Sequence, residues 1–376
     1  MDQTAPAGSP APPEDPAGAP RRRVAIVLFN LGGPDRTESV RPFLQNLFLD
    51  PAILRVPGFV RPWLGRLIAW RRTRAATENY AILGGGSPLL ALTEAQGRAL
   101  EAALADEPAT HRCFVAMRYW HPMSEACARD VAAWRPDEVL LLPLYPQFST
   151  TTTGSSLLAW EAAARSAGLA VPTTTLCCWH SDPGFAAATA RLVRQAWEEA
   201  RAALPAGMGL RLLFSAHGLP ESIVKAGDPY QWQVEQSVAA VTARLDLPEL
   251  DHQVCYQSRV TPQTWLGPSI ETALEEAARD RVAVLVCPIA FVSEHSETLV
   301  ELDVEYREVA ERLGLPGYFR VPAQNSDPDF IAALAGLVRG ARAGGRALCS
   351  FAGGRQCPKP FGDCPHARAR RETVAA

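Results

Sequence analysis

The sequence has no apolar run long enough to span a bilayer. Its longest runs, such as Val282 to Val292, fall well short of the ~20 residues that a span requires. It has almost no excess of charge: the formal net charge is −3, which excludes a general polycation and a strongly acidic body, so no nucleic-acid partner is expected. The G-x-G-x-x-G dinucleotide fingerprint is missing, and no Lys-Ser/Thr follows the glycines of "LGGGSPLL" (83–90), so no nucleotide cofactor is expected. There is no H-E-x-x-H chelate, which argues against a permanent structural zinc. Met1 to Pro20 lack an apolar signal core, and residues 1–21 read as a disordered tail. Without a signal peptide, the nine cysteines point to the reducing cytoplasm, where disulfides are not expected.

What is present is an ordinary soluble-protein core, with 47% hydrophobic residues in 376. Short continuous apolar runs read as strands covered on both faces: "RVAIVLFNL" (23–31), "CFVAMRYW" (113–120), "EVLLLPLYP" (138–146), "LRLLFSAH" (210–217), "HQVCYQS" (252–258) and "VAVLVCPIAF" (282–291). Helical patterns lie between them at 92–105, 185–204, 231–245 and 269–280. Alternating strand and helix predicts an α/β fold of two doubly wound halves, with a cleft beyond the C-terminal ends of the strands.

The chemistry-bearing residues sit where that cleft is expected. "NLGGPD" (30–35) is a turn that could let a ligand approach the backbone, or only a tight turn. "YPQFSTTTTGSS" (145–156) offers hydroxyls for a ligand edge or for its own backbone. His217 directly follows a buried strand. Gln257, Arg259 and Trp265 lie in a loop suited to a flat, partly anionic ligand, unless Trp265 only plugs that loop onto the core. After the strand at 282–291 come His295, Glu294, Glu297, Glu301 and Glu305. The last three stack on one face of a helix, where like charges cost about 0.2–0.5 kcal/mol each. A cation or protons passing along the column would offset that repulsion, and imidazole with carboxylate suits Fe²⁺.

In order and content these motifs resemble the ferrochelatase family. The resemblance rests on "NLGGPD", "GGGSPL", "MRYWHP", "LPLYPQFSTTTTGSS", "SAHGLPESIVKAGDPY", "CYQSRVTPQTWLGP" and "FVSEHSETLVELDVEY", across residues 23 to 340. It implies a chelatase-like fold of two Rossmann-like halves, each with a parallel four-stranded sheet, and insertion of Fe²⁺ into protoporphyrin IX with release of two protons, the final step of haem synthesis. It implies His217 and Glu297 as catalytic residues, His217, Glu297 and Glu301 as metal contacts, and Leu31, Arg118, Tyr119, Tyr145 and Trp265 as porphyrin contacts. Many relatives have methionine at Leu31. Glu297 is expected across the ring from His217. The rival readings are a coproporphyrin III ferrochelatase and a non-catalytic haem or porphyrin carrier. The domain expectation is a tail (1–21), a first half (22–165), a second half (166–340) and a cysteine-bearing extension (341–376).

Two further segments complete the picture. Residues 51–76, "PAILRVPGFVRPWLGRLIAWRRTRAA", mix Phe59, Trp63, Leu67 and Trp70 with arginines, as a lip lying in a lipid interface does, although a helix packed on the sheet reads the same way. In relatives this region forms the mouth of the cleft. Lipid or the preceding haem-pathway enzyme is the partner expected there, at the inner face of a membrane. In the extension, Cys349, Cys357 and Cys364 are spaced too widely for a zinc knuckle. Some ferrochelatases carry a 2Fe–2S cluster at this end, which takes four thiolates. Animal relatives supply one at the position of Thr150, so Cys178, or else Cys177, is expected instead, with His366 a weaker candidate.

Overall fold

In strand β1 (Arg23–Asn30), Val24, Ile26 and Leu28 pack into one apolar cluster, while Ala25, Val27 and Phe29 pack into another. Helices cover both faces, which is why the run is apolar throughout rather than alternating. The computed structural model describes residues 21–247, 249–259 and 263–375. The tail expected at 1–21 lies outside the described residues except for Arg21.

The first sheet has the order β2-β1-β3-β4-β9, with every pair parallel: β2 is Thr110–Met117, β3 Glu138–Pro143, β4 Thr173–Leu176 and β9 Leu348–Cys349. The second has the order β6-β5-β7-β8, again parallel: β5 is Leu210–His217, β6 His252–Gln257, β7 Ala283–Pro288 and β8 Tyr318–Arg320. Four strands per half is correct for the second sheet. The first gains a fifth, because the extension returns to add Leu348–Cys349 to the edge of β4. The expected junction at 165/166 also falls before β4, whose pairing with β3 keeps Thr173–Leu176 in the first sheet.

The halves share one continuous apolar core, which runs from Val24, Ile26 and Leu28 of β1 to Leu212 and Phe214 of β5. Buried polar links add direction to that packing. Gln96 Nε2 donates to the carbonyls of Val292 (3.1 Å) and Asn325 (2.9 Å), while Ser293 Oγ donates to Gln96 Oε1. Asp228, fully buried, accepts from Ser149 Oγ, Thr150 N and Thr150 Oγ1, and so ties the loop after β3 to the loop after β5. Each donor here is lost to water unless its partner stays in place, so the links hold the two sets of strand ends in one relative position.

Candidate active site

His217 is the last residue of β5 and pairs in register with Gln257 of β6. Its carbonyl accepts from Tyr230 OH (3.1 Å), and its Nδ1 lies 2.9 Å from Glu297 Oε2. The two residues expected on opposite sides of a ring are therefore in direct contact, on the same wall. The reason is topological. β5 and β7 are adjacent parallel strands, so the segment leaving β7 passes directly over the end of β5.

That segment is a π-helix over Glu297–Glu305, closed by the Tyr306 N–H donating to the Glu301 carbonyl. Such wide turns are rare and occur mostly at functional sites. Glu297, Glu301 and Glu305 follow one another along it, as the spacing predicts. Glu301 Oε2 accepts from Gln257 Nε2 (3.0 Å) and Ser258 Oγ (2.5 Å), and Glu305 Oε1 accepts from Asn79 Nδ2 (2.8 Å). His295 is buried, with Nδ1 3.1 Å from the Ser293 carbonyl, and its ring packs against Phe291.

Charge in this column is unevenly distributed. Burial opposes ionisation of Glu297, but the imidazole of His217 and its hydrogen bond win, with His295 adding, and hold the carboxyl down at about 2. For His217, burial disfavours the imidazolium, but Glu297 and then Glu301 outweigh it and the pKa is raised. Glu301 has burial and the Glu297 charge acting together, and is pushed up to about 7. The contact with Glu297 thus favours the charged form of His217 and the ionised form of Glu297, beside a carboxyl that exchanges its proton near neutrality. This removes much of the repulsion that the bare sequence implies.

Glu297 and Glu301 of this column, with His295, line a cleft of about 430 Å³. Leu31, Phe43, Leu44 and Leu47 line it with apolar surface, and Arg71 and Arg72 with cationic surface. Arg72 is desolvated, which lowers its pKa, and the charge of Glu301 acts against that. Sequence reasoning placed both arginines only in the lipid-facing lip. The helix there is longer than expected, Arg61–Ile82. Arg72, Ala75, Ala76, Asn79 and Tyr80 share one face at helical spacing and turn it to the cleft, a signal that carrying the pattern past Ala76 would have shown.

Of the expected porphyrin contacts, Leu31 lines the cleft. Arg118 and Tyr119 lie beneath it: Arg118 Nη2 (2.7 Å) and Tyr119 OH (2.9 Å) both donate to Asp50 Oδ2, and Arg118 Nε donates to Ser155. The charge of Arg118 is thus already paired. Tyr145 packs with the core beneath β1 and β3. Trp265 is half-buried beside Gly218, where a Cβ would come within 3.3 Å of its ring. Among the described residues no group of three or more His, Cys, Asp or Glu side chains is set to hold a metal ion. The expected His217–Glu297–Glu301 ligand set is not preassembled, because His217 Nδ1 and Glu297 Oε2 bind each other and Glu301 Oε2 is taken by Gln257 and Ser258.

At a second place, thiols gather. Cys177 and Cys178 follow β4, and Cys349 ends β9, whose register sets it beside Leu176. Cys177 and Cys178 have sulfurs 3.2 Å apart, Gln233 Nε2 donates to Cys357 Sγ (3.1 Å), and all five thiols, Cys364 included, are buried. Cys364 is lowered to about 6, chiefly by the Cys357 thiol, against burial, with the N–H groups of His366 and Ala367 helping. The Nε2 of His366 is buried without a hydrogen-bond partner among the described residues.

A His–carboxylate pair and a carboxyl near neutrality, beside a cleft of apolar and cationic surface, form a site able to exchange protons. Comparisons with known proteins narrow this reading. The ferrochelatase family profile matches residues 23–342. The chain is 51% identical over 346 residues to the ferrochelatase of Caulobacter vibrioides, covering 92% of this chain and 97% of that one. To that of Hyphomonas neptunium it is 49% identical over 355 residues, 93% of this chain and 97% of that one. To that of Pelagibacter ubique it is 43% identical over 343 residues, 91% and 98% respectively. Among solved structures, SirB from Bacillus subtilis with Fe³⁺ is similar at a TM-score of 0.47 and 11% identity, over 86% of this chain and 96% of that one. The chain belongs to the ferrochelatase family, enzymes that insert iron into a porphyrin in haem synthesis.

The raised Glu301 pKa has a consequence for stability. The folded state binds this proton more tightly than the unfolded state, so stability falls as pH rises from about 4.5 through about 7. Glu297 contributes the opposite limb, with stability present above about 4.5 and lost as pH falls toward about 2. Glu301→Gln should therefore gain stability relative to wild type progressively across the upper window, measured by urea unfolding at a series of pH values. Parallel wild-type and variant curves there would contradict the assignment.

Proposed function

We propose that this chain inserts Fe²⁺ into protoporphyrin IX, with His217 as the acceptor of pyrrole protons and Glu297 and Glu301 as the groups that take them onward. The observation that carries this reading is the 2.9 Å contact of His217 with Glu297, with Glu301 next along the same wall. Glu297 favours the charged form of His217. In that form the imidazole can accept a pyrrole proton only after losing its own, and Glu301, poised near pH 7, is the neighbour able to receive it. The ring would lie between this wall and the apolar side at Leu31. Among the described residues Arg71 and Arg72 line the cleft, cationic surface suited to the carboxylate edge of a porphyrin. A carrier has no need of a proton acceptor with an acidic relay behind it.

We also propose a 2Fe–2S cluster held by Cys178, Cys349, Cys357 and Cys364, around which these side chains would have to close, since as they stand no three of them are set to hold a metal. Supporting this, Gln233 Nε2 donates to Cys357 Sγ and the backbone N–H groups of His366 and Ala367 act on Cys364. Such a cluster would supply one-electron chemistry. The lip supports a contact with lipid: Phe59 (81%), Trp63 (78%) and Trp70 (60%) are strongly exposed. The contact proposed is peripheral; no helix among the described residues is long and apolar enough to cross a membrane.

His217→Ala should keep porphyrin binding, followed by fluorescence quenching, and lose insertion by about 10²–10⁴-fold; normal turnover would remove His217 from the mechanism. Protein purified anaerobically should be coloured and contain iron and sulfide, and Cys364→Ser should abolish that colour. A colourless, iron-free wild type would end the cluster reading. With anionic liposomes, wild type should float and the Trp63→Ser/Trp70→Ser variant should not; wild type remaining in the soluble fraction would count against the lip.

A further inference from the structure

The three carboxylates of the column share a feature that a plain acidic face does not. In each, one oxygen is held by a donor and the other accepts no hydrogen bond among the described residues. Glu297 Oε2 is held by His217, Glu301 Oε2 by Gln257 and Ser258, and Glu305 Oε1 by Asn79. Neither Glu297 Oε1 nor Glu301 Oε1 is sealed from solvent, and both residues line the cleft.

The cradle around Glu301 is the most elaborate. Gln257 is fully buried, and its amide is saturated: Oε1 accepts from Ser215 Oγ (2.7 Å), and Nε2 donates to the Glu297 carbonyl (3.0 Å) and to Glu301 Oε2 (3.0 Å). An amide so saturated cannot rotate without losing all three bonds. Ser258 holds a left-handed backbone, φ 66°, unusual for a residue with a side chain, and that conformation accompanies its hydroxyl's donation to the same oxygen. Two independent donors thus converge on one oxygen, while its twin accepts no hydrogen bond among the described residues.

Resting on the reading of this cleft as a metal-inserting site, we propose that Gln257 and Ser258 are positioning residues that occupy Glu301 Oε2, so that Glu301 offers an incoming divalent cation a single oxygen. A carboxylate with both oxygens available can grip a cation in two-point fashion, whereas one with a single open oxygen makes a contact that is readily released. Tight binding of the free cation on its way to the ring slows transfer, because it stabilises the ground state alone. The cradle makes Glu301 a place from which the cation moves on.

The test is Ser258→Gly. Glycine adopts this φ without strain, so the fold is kept and only the hydroxyl donor is lost. Gln257→Leu, alone and combined with Ser258→Gly, extends the series. Steady-state insertion of Fe²⁺, and of Zn²⁺ as a second probe, should show the apparent KM for metal falling by about threefold or more while kcat falls at least as far, with the porphyrin KM unchanged. The double variant should show the largest effect. A simple structural defect would instead lower kcat with metal KM unmoved or raised, or shift both substrates together, and either pattern in Ser258→Gly overturns the proposal. Absence of insertion by wild type would remove the reading of the site and this inference with it. Wild-type insertion with an unmoved metal KM in the variants removes the inference alone.

Discussion

The hydrogen bond between His217 and Glu297 is the constraint on which the site depends. It charges the imidazole, depresses one carboxyl and, through that negative charge and burial, lifts the next. Three groups that would otherwise titrate separately become one device for sharing protons. Removing either partner leaves the other, half-buried, without its counter-charge.

This contact exists because of strand order. Parallel neighbours deliver the ends of β5 and β7 to the same side, and β6 delivers Gln257 beside them in register. The opposite wall comes from the first half, through Leu31 at the end of β1 and the helix Arg61–Ile82. The common core and the Asp228 latch keep these walls at a set separation, which a cleft meant for one rigid ring requires. Asn79 and Arg72 reach from the lip helix toward Glu305 and Glu301, so the element that meets the exterior also touches the acidic column.

Much of this was legible in the sequence, for physical reasons that also mark the limit. β1, β5 and β7 are buried on both faces, so continuous apolar runs announce them. β4 (TTTL) and β8 (YFR) are short and partly covered, and they carry no such run. β9 has two residues and is invisible without its partner, yet its register with Leu176 is what brings Cys349 to the paired cysteines. His217 and Glu297 could be singled out because each follows a core strand. Their contact could not, because it depends on which strands are neighbours and on a π-turn that residue spacing does not distinguish from an α-turn. Arg118 shows the converse: its motif suggests a ligand contact, but Asp50 already neutralises it from a segment sixty-eight residues away.

The central claim is that Glu297 raises the pKa of His217 above its ordinary value. Nitrogen NMR of histidine-labelled protein, with the His217 signal assigned by its absence from His217→Gln, measures this directly. The account predicts that the imidazolium of His217 persists above the ordinary histidine pKa of about 6.5, and that Glu297→Gln returns the transition to or below that value. A His217 ring already neutral at that pH in wild type, or one that titrates identically in both proteins, would contradict it.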